Sequence, residues 1–259
     1  MNCAIEIEDL YMYYGEKPAL KGVNLTIPSG SIYGILGPNG SGKTTLMKIL
    51  VSLLSKKSGR VSVCGLDVDK DQMKIKEIAG YIPETPVLYE SMTPLELFDF
   101  VGSVRHIPVD SYARRLNALI DAFSIKDYLN EFIGSLSFGN KQKVAIISAL
   151  VHDPKVLIVD EGMNGLDPRS ARIFKDILMD MKNRGKIVVF STHILEIAEN
   201  LCDSVAILYE GSIVANGTIR DLESSAPENS QNLEDIFLKL TNSEDLGDVV
   251  KSLRGEVGD

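Results

Sequence analysis

Gly37-Pro38-Asn39-Gly40-Ser41-Gly42-Lys43-Thr44-Thr45 fits the pattern G-x-x-x-x-G-K-[ST]. The residues on either side decide how it reads. An apolar run, Ser31-Ile32-Tyr33-Gly34-Ile35-Leu36, leads in as a strand, and Thr45-Leu46-Met47-Lys48-Ile49-Leu50 leads out as a helix. A strand, a glycine-rich loop and a helix in that order form the setting in which this pattern cradles phosphate. Glycines let the backbone turn its N–H groups toward an anion, and the helix beginning at Gly42 adds the positive end of its dipole. Lys43 would reach the β- and γ-phosphates, and the Thr44 hydroxyl would ligate Mg²⁺. The stretch predicts a nucleoside triphosphate site.

A second stretch ends in acids. Lys155-Val156-Leu157-Ile158-Val159-Asp160-Glu161 reads as a buried strand with two carboxylates at its C-terminal end, the edge where open α/β sheets bind ligands. Asp160 would hold Mg²⁺, directly or through water, and Glu161 would orient or deprotonate the water attacking the γ-phosphate. His193 follows a third apolar strand, Ile187-Val188-Val189-Phe190-Ser191-Thr192. Its role depends on a core that brings this strand end to the γ-phosphate. His106 and His152 have no such context and receive no role. Ser137, in Leu136-Ser137-Phe138-Gly139-Asn140, would cap the helix that follows and leave free N–H groups facing outward as a second anion site.

Around these motifs the chain alternates strand and helix. Residues 5–10, 23–27 and 60–65 read as strands, 86–149 as helical, with Thr93-Pro94 as a helix start. Strand signals return at 155–159, 186–190 and 204–208, separated by helical stretches at 169–181 and 194–201. Glu210-Gly211 predicts a closing hairpin. This alternation predicts a largely parallel sheet covered on both faces. After Arg220 come a polar linker at 224–230 and a short amphipathic helix at 233–240.

Composition sets the broad class. With 259 residues, 44% apolar and 24% charged, the chain can bury a large core. A net charge of −9 argues against a nucleic-acid partner, and no apolar run is long enough to span a bilayer. Cys3, Cys64 and Cys202 lie far apart without metal-ligand spacing, so they are expected as unpaired packing residues in a reducing cytoplasm. The N-terminus lacks the pattern of a signal peptide.

Together the motifs resemble the nucleotide-binding subunit of an ATP-binding cassette transporter, over about residues 4–220. Besides the phosphate loop and Asp160-Glu161, the resemblance rests on Gly165-Leu166-Asp167-Pro168, on Ser191-Thr192-His193, and on residues 136–140. These last match the family's Leu-Ser-Gly-Gly-Gln signature at three of five positions. It implies an α/β fold: a P-loop NTPase core with a mostly parallel sheet, an antiparallel β subdomain and an inserted helical subdomain at about 86–149. Residues 1–220 would form the ATPase domain and 221–259 a C-terminal extension.

The resemblance further implies ATP and Mg²⁺ as cofactors, held by residues 37–45: Gly37, Pro38, Asn39, Gly40, Ser41, Gly42, Lys43, Thr44 and Thr45. Tyr14 would stack on adenine, with Tyr11 and Tyr13 as substitutes. Glu161 and His193 would act in hydrolysis with Lys43, and Thr44 and Asp160 would hold the metal. Two cassettes, identical or related, would close head to tail over two ATP molecules. Ser137 and Gly139 of one would contact the γ-phosphate bound by the other, and Asp167 would link the sites. The partner would be an integral membrane permease, with the subunit peripheral on the cytoplasmic face and transport directed outward. The alternative is a cassette ATPase in a non-transport assembly such as iron–sulfur cluster building. Two departures stand out. Glu84 occupies the place of the family's usual Gln in the catalytic and metal set, adding negative charge near the triphosphate. Phe138 and Asn140 replace Gly and Gln in the signature.

Overall fold

The computed structural model describes residues 3–105, 107–225 and 236–238. A strand of six buried residues, β3 (Ser31–Leu36), lies at its centre. Its side chains alternate between two cores. Ile32 and Leu36 face one, Tyr33 and Ile35 the other. A strand buried on both faces reads as a continuous apolar run, which is why the sequence around it lacks polar alternation. β7 (Val156–Asp160) and β8 (Ile187–Thr192) are buried throughout in the same way. With β6 (Ala79–Ile82), β9 (Ser204–Tyr209) and β10 (Ser212–Thr218) they form a six-stranded sheet ordered β10-β9-β3-β8-β7-β6. Every pair in it is parallel except β9–β10. That pair is a hairpin turning at Glu210 and Gly211, both at positive φ as a two-residue primed turn requires.

A second sheet, ordered β2-β1-β4-β5, is antiparallel: β1 (Ala4–Tyr14), β2 (Lys17–Pro28), β4 (Ser58–Val63) and β5 (Leu66–Asp67). It packs with α1 (Lys43–Leu50) on one face of the main sheet. Helices cover the opposite face: α3 (Pro94–Val104), α4 (Val109–Phe123), α5 (Phe138–Leu150), α6 (Pro168–Asn183) and α7 (Leu195–Leu201). α2 (Gln72–Ile78) precedes β6, and α8 (Ile219–Ser225) follows β10. The α/β class with a mostly parallel sheet and an antiparallel sheet beside it is therefore as expected. Among the described residues no helix is long and apolar enough to cross a membrane.

Three expectations change. α2 and β6 were not anticipated, because only Ile75 of α2 is buried and β6 is four residues long. The segment read as a polar linker begins instead with Ser224 and Ser225 inside α8; its remainder lies outside the described residues, as does most of the helix expected at 233–240, and His106. Cys3 and Cys64 are not separate packing residues. Antiparallel pairing of β1 with β4 brings their Cα atoms to 4.1 Å, and the two form a disulfide. Sequence spacing could not show this, since 61 residues separate them. Cys202 is the buried thiol that was expected, and burial pushes its pKa up to about 12.

Candidate active site

The ends of β3, β7 and β8 build the site. Register pairs Leu36 with Thr192 and Asp160 with Ser191, so the phosphate loop, Glu161 and His193 emerge side by side. The loop's glycines are fixed by space. A side chain on Gly37 would collide with the Leu208 carbonyl, and one on Gly42, at φ 111°, would come within 2.6 Å of the Ala19 oxygen. Gly42 is also the N-cap of α1, whose first N–H groups are thereby turned toward the loop.

Lys43 is 6% exposed, and its ammonium donates to the carbonyls of Gly37 (2.8 Å) and Pro38 (3.2 Å). It also lies 3.6 Å from Glu161 Oε1. The other Glu161 oxygen, Oε2, is 2.8 Å from His193 Nδ1 and accepts from Asn164 Nδ2 at 3.4 Å. Glu161 is thus a buried carboxylate between a lysine and a half-exposed histidine. Its backbone sits at φ 51°, a left-handed conformation uncommon for a residue with a Cβ, and this turns its side chain off the strand axis toward the loop.

Asp160, one residue earlier, is also buried. Its Oδ1 accepts from Ser191 Oγ at 2.6 Å, and the same hydroxyl receives the Glu161 N–H at 3.2 Å. Ser191 therefore clamps both acids, a role not read from the sequence, although hydroxyls ending an otherwise apolar strand, Ser191 and Thr192, were its signal. Asp160 Oδ2 has no hydrogen-bond partner, nor has the hydroxyl of Tyr81 on β6. Burial raises the Tyr81 pKa, and the Asp160 charge adds to the effect.

Two clefts meet here. The smaller, about 390 Å³, is lined by Tyr14, Asn39, Gly40, Gly42, Lys43, Thr44, Thr45, Glu84 and Glu161, with Lys17 to Ala19. Tyr14 is half exposed over it, its hydroxyl 3.5 Å from Thr45 Oγ1, whereas Tyr11 instead packs its ring tip against Gly22. The larger, about 670 Å³, contains Thr44, Glu84, Tyr81 and Asp160 together with apolar Val51, Leu53, Val87 and Leu88.

Ser137, Gly139 and Asp167 line neither cleft. They gather elsewhere. Ser137 caps α5 by accepting the Asn140 N–H at 3.3 Å, as expected. Asp167 caps α6 through the Ser170 N–H and hydroxyl and lies 2.7 Å from Lys143 Nζ, and these partners hold its carboxyl well below the usual range. A methyl on Gly139 would sit 2.6 Å from the Gly165 oxygen, so the signature and the segment after Glu161 are in close contact. Gln142, fully buried on α5, donates to the Gly162 carbonyl at 2.9 Å and joins the two further; it too was missed, since nothing in a helical run marks a buried amide.

A family model described as ABC transporter matches residues 20–164, more than half of the chain. This chain belongs to the ABC transporter family. It is 37% identical over 222 residues to the ABC transporter ATP-binding protein NatA of Bacillus subtilis, covering 85% of this chain and 89% of NatA. With EcsA of the same organism, an ABC-type transporter ATP-binding protein, it shares 34% over 243 residues, covering 94% and 98%. A solved ATP-binding subunit of an ABC transporter superposes with a TM-score of 0.87 at 32% identity, covering 92% of this chain and 99% of that one. The structure of cbiO1 from Clostridium perfringens, described as part of the ABC transporter complex cbiONQ, superposes with a TM-score of 0.70 at 31% identity, covering 88% and 97%. Like its family, this ABC ATP-binding protein binds and hydrolyses ATP, and its fold is that of the P-loop ATPase cassettes.

Proposed function

We propose that this ABC ATPase powers a separate membrane permease from the cytoplasmic face, by closing in pairs over ATP, and that transport is directed outward. The observation that carries the catalytic part is the placement of Glu161 between Lys43 and His193 at the mouth of the phosphate loop. On ATP binding the Lys43 ammonium exchanges its carbonyl partners for phosphate oxygens, with the N–H groups of residues 37–45 around them. Glu161 then acts as base toward the attacking water, His193 holds that water and the γ-phosphate, and Tyr14 stacks on adenine.

Mg²⁺ fits the residues present. Asp160 Oδ2 is a buried carboxylate oxygen without a partner, and it shares a cleft with Thr44 and Glu84. A hard dication suits such an oxygen set. Thr44 and Asp160 would hold it, with Glu84 adding a third oxygen and negative charge. When bound, the ion neutralises charge on the β- and γ-phosphates.

Pairing is supported by what Ser137, Gly139 and Asp167 do not touch. They lie outside their own nucleotide cleft, so they suit the ATP of a second cassette, whether a copy or a relative. The larger cleft, with its apolar wall, suits a helix of the permease. The relatives carry transporter names, which favours transport over the alternative of a non-transport assembly.

Glu161→Gln tests both halves. ATP affinity is retained, turnover falls at least a hundredfold, the range of a lost general base, and a dimer accumulates with ATP and Mg²⁺ by light scattering. Wild-type turnover would remove Glu161 as the base; a monomer at saturating ATP would remove the pairing.

A further inference from the structure

β6 and β7 are neighbours in register, with Tyr81 opposite Ile158. Residues two apart on a strand share a face, so Tyr81, Ile158 and Asp160 lie on the same side of the sheet, the side that carries α1. Tyr81 and Asp160 both line the larger cleft beside Thr44 and Glu84. Two buried polar atoms there lack hydrogen-bond partners, Tyr81 Oη and Asp160 Oδ2. An unsatisfied buried hydroxyl costs on the order of 1–3 kcal/mol. A phenylalanine at this position would fill the same space without that cost. The hydroxyl is therefore placed where a polar occupant of the cleft can use it.

We propose that Tyr81 is a positioning residue for hydrated Mg²⁺. A phenol both donates and accepts. It can give its hydrogen to the Asp160 carboxylate and receive one from a water in the ion's shell, orienting the metal's ligand from outside the coordination sphere. Tyr81 lies near the end of β6, three residues before Glu84, so the same backbone segment would present an outer partner and a ligand. This inference rests on the reading of the cleft as an Mg²⁺–ATP site.

The test compares affinity for a nonhydrolysable ATP analogue in EDTA and in Mg²⁺, for wild type and Tyr81→Phe. Analogue affinities in EDTA agree within twofold. The gain conferred by Mg²⁺ shrinks about tenfold in the variant, the lower end of losses seen when partners of metal ligands are removed. The melting temperature of the nucleotide-free variant stays level or rises, because an unpartnered hydroxyl is gone. An equal Mg²⁺ gain in both proteins overturns the inference and leaves the site reading standing. A variant weakened alike in EDTA and Mg²⁺, with a lowered melting temperature, shows a merely structural role and also overturns it. A wild type that gains nothing from Mg²⁺ removes the site reading and this inference together. As an independent readout, 3-fluorotyrosine incorporated at position 81 shifts its ¹⁹F resonance when Mg²⁺ joins the analogue complex. A resonance that does not move counts against the role.

Discussion

Lys43 is engaged three times over: by two carbonyls of its own loop and by Glu161. On the proposed reading, phosphate oxygens replace those partners, because a polyanion offers more charge than two carbonyls. Lys43→Ala removes the one fixed cation at the centre of the loop, and ATP affinity is expected to fall at least tenfold in a calorimetric titration. Charge-assisted hydrogen bonds are typically worth about 1.5–3 kcal/mol, consistent with that loss. Unchanged affinity would mean that the loop amides suffice. Most of these residues were legible from spacing alone, since the pattern at 37–45 fixes loop, lysine and threonine at once. Ser191, Tyr81 and Gln142 were not. Their significance comes from neighbours distant in sequence, and no local periodicity reports a contact across 20 residues or more.

At the scale of elements, local chemistry and tertiary context divide the credit. β3 ends where its apolar run ends, and α3 begins at Thr93, which accepts the Glu96 N–H at 3.2 Å while the Glu96 carboxylate receives the Thr93 N–H at 2.8 Å. The Thr93 cap with Pro94 at the first position is a sequence-local signal and was read; the return bond from Glu96 was not. α2 and β6 carry too little apolar periodicity to be seen. The antiparallel sheet was expected only through family resemblance: β1 and β2 form a hairpin through Gly15 and Glu16, but β4 pairs with β1 across more than 40 residues. Thr93→Ala removes one half of the cap and should cost about 1 kcal/mol of stability in urea unfolding. Analogue affinity should stay unchanged, because α3 lines neither cleft. A variant as stable as wild type would show that the cap is dispensable here.

The whole molecule carries a pH dependence that the active site does not set. His152, which joins α5 to β7, is partly buried, with its Nδ1 shut off from solvent, and Nε2 donates to the Ala79 carbonyl. Burial, with Arg105 nearby, pushes its pKa down to about 3 from an ordinary value near 6.5. Between those two values the unfolded chain binds a proton that the folded chain refuses. Stability therefore falls as pH drops below about 6.5 and keeps falling toward 3, at up to about 1.4 kcal/mol per pH unit from this group. His152→Gln keeps an N–H donor without a titrating ring, so its unfolding free energy should lose that slope between pH 6.5 and 5. An unaltered slope would assign the acid sensitivity to other groups.

The ladder joining β3, β8 and β7 has a mechanical corollary. Leu36 is bonded in register to the β8 end at Thr192, and Ser191 to Asp160, with neighbouring strands spaced by about 4.8 Å. The phosphate loop and both acids are therefore mounted on a ruler whose marks cannot slide without breaking backbone bonds in the best-buried part of the protein. Whatever ATP changes in shape must be taken up elsewhere, in the segment from Pro83 to Met92 that leaves β6 and in the helices beyond it. Amide hydrogen exchange should find β3, β7 and β8 equally slow with and without nucleotide, while residues 83–92 change. The chemistry stays calibrated while the machinery around it swings.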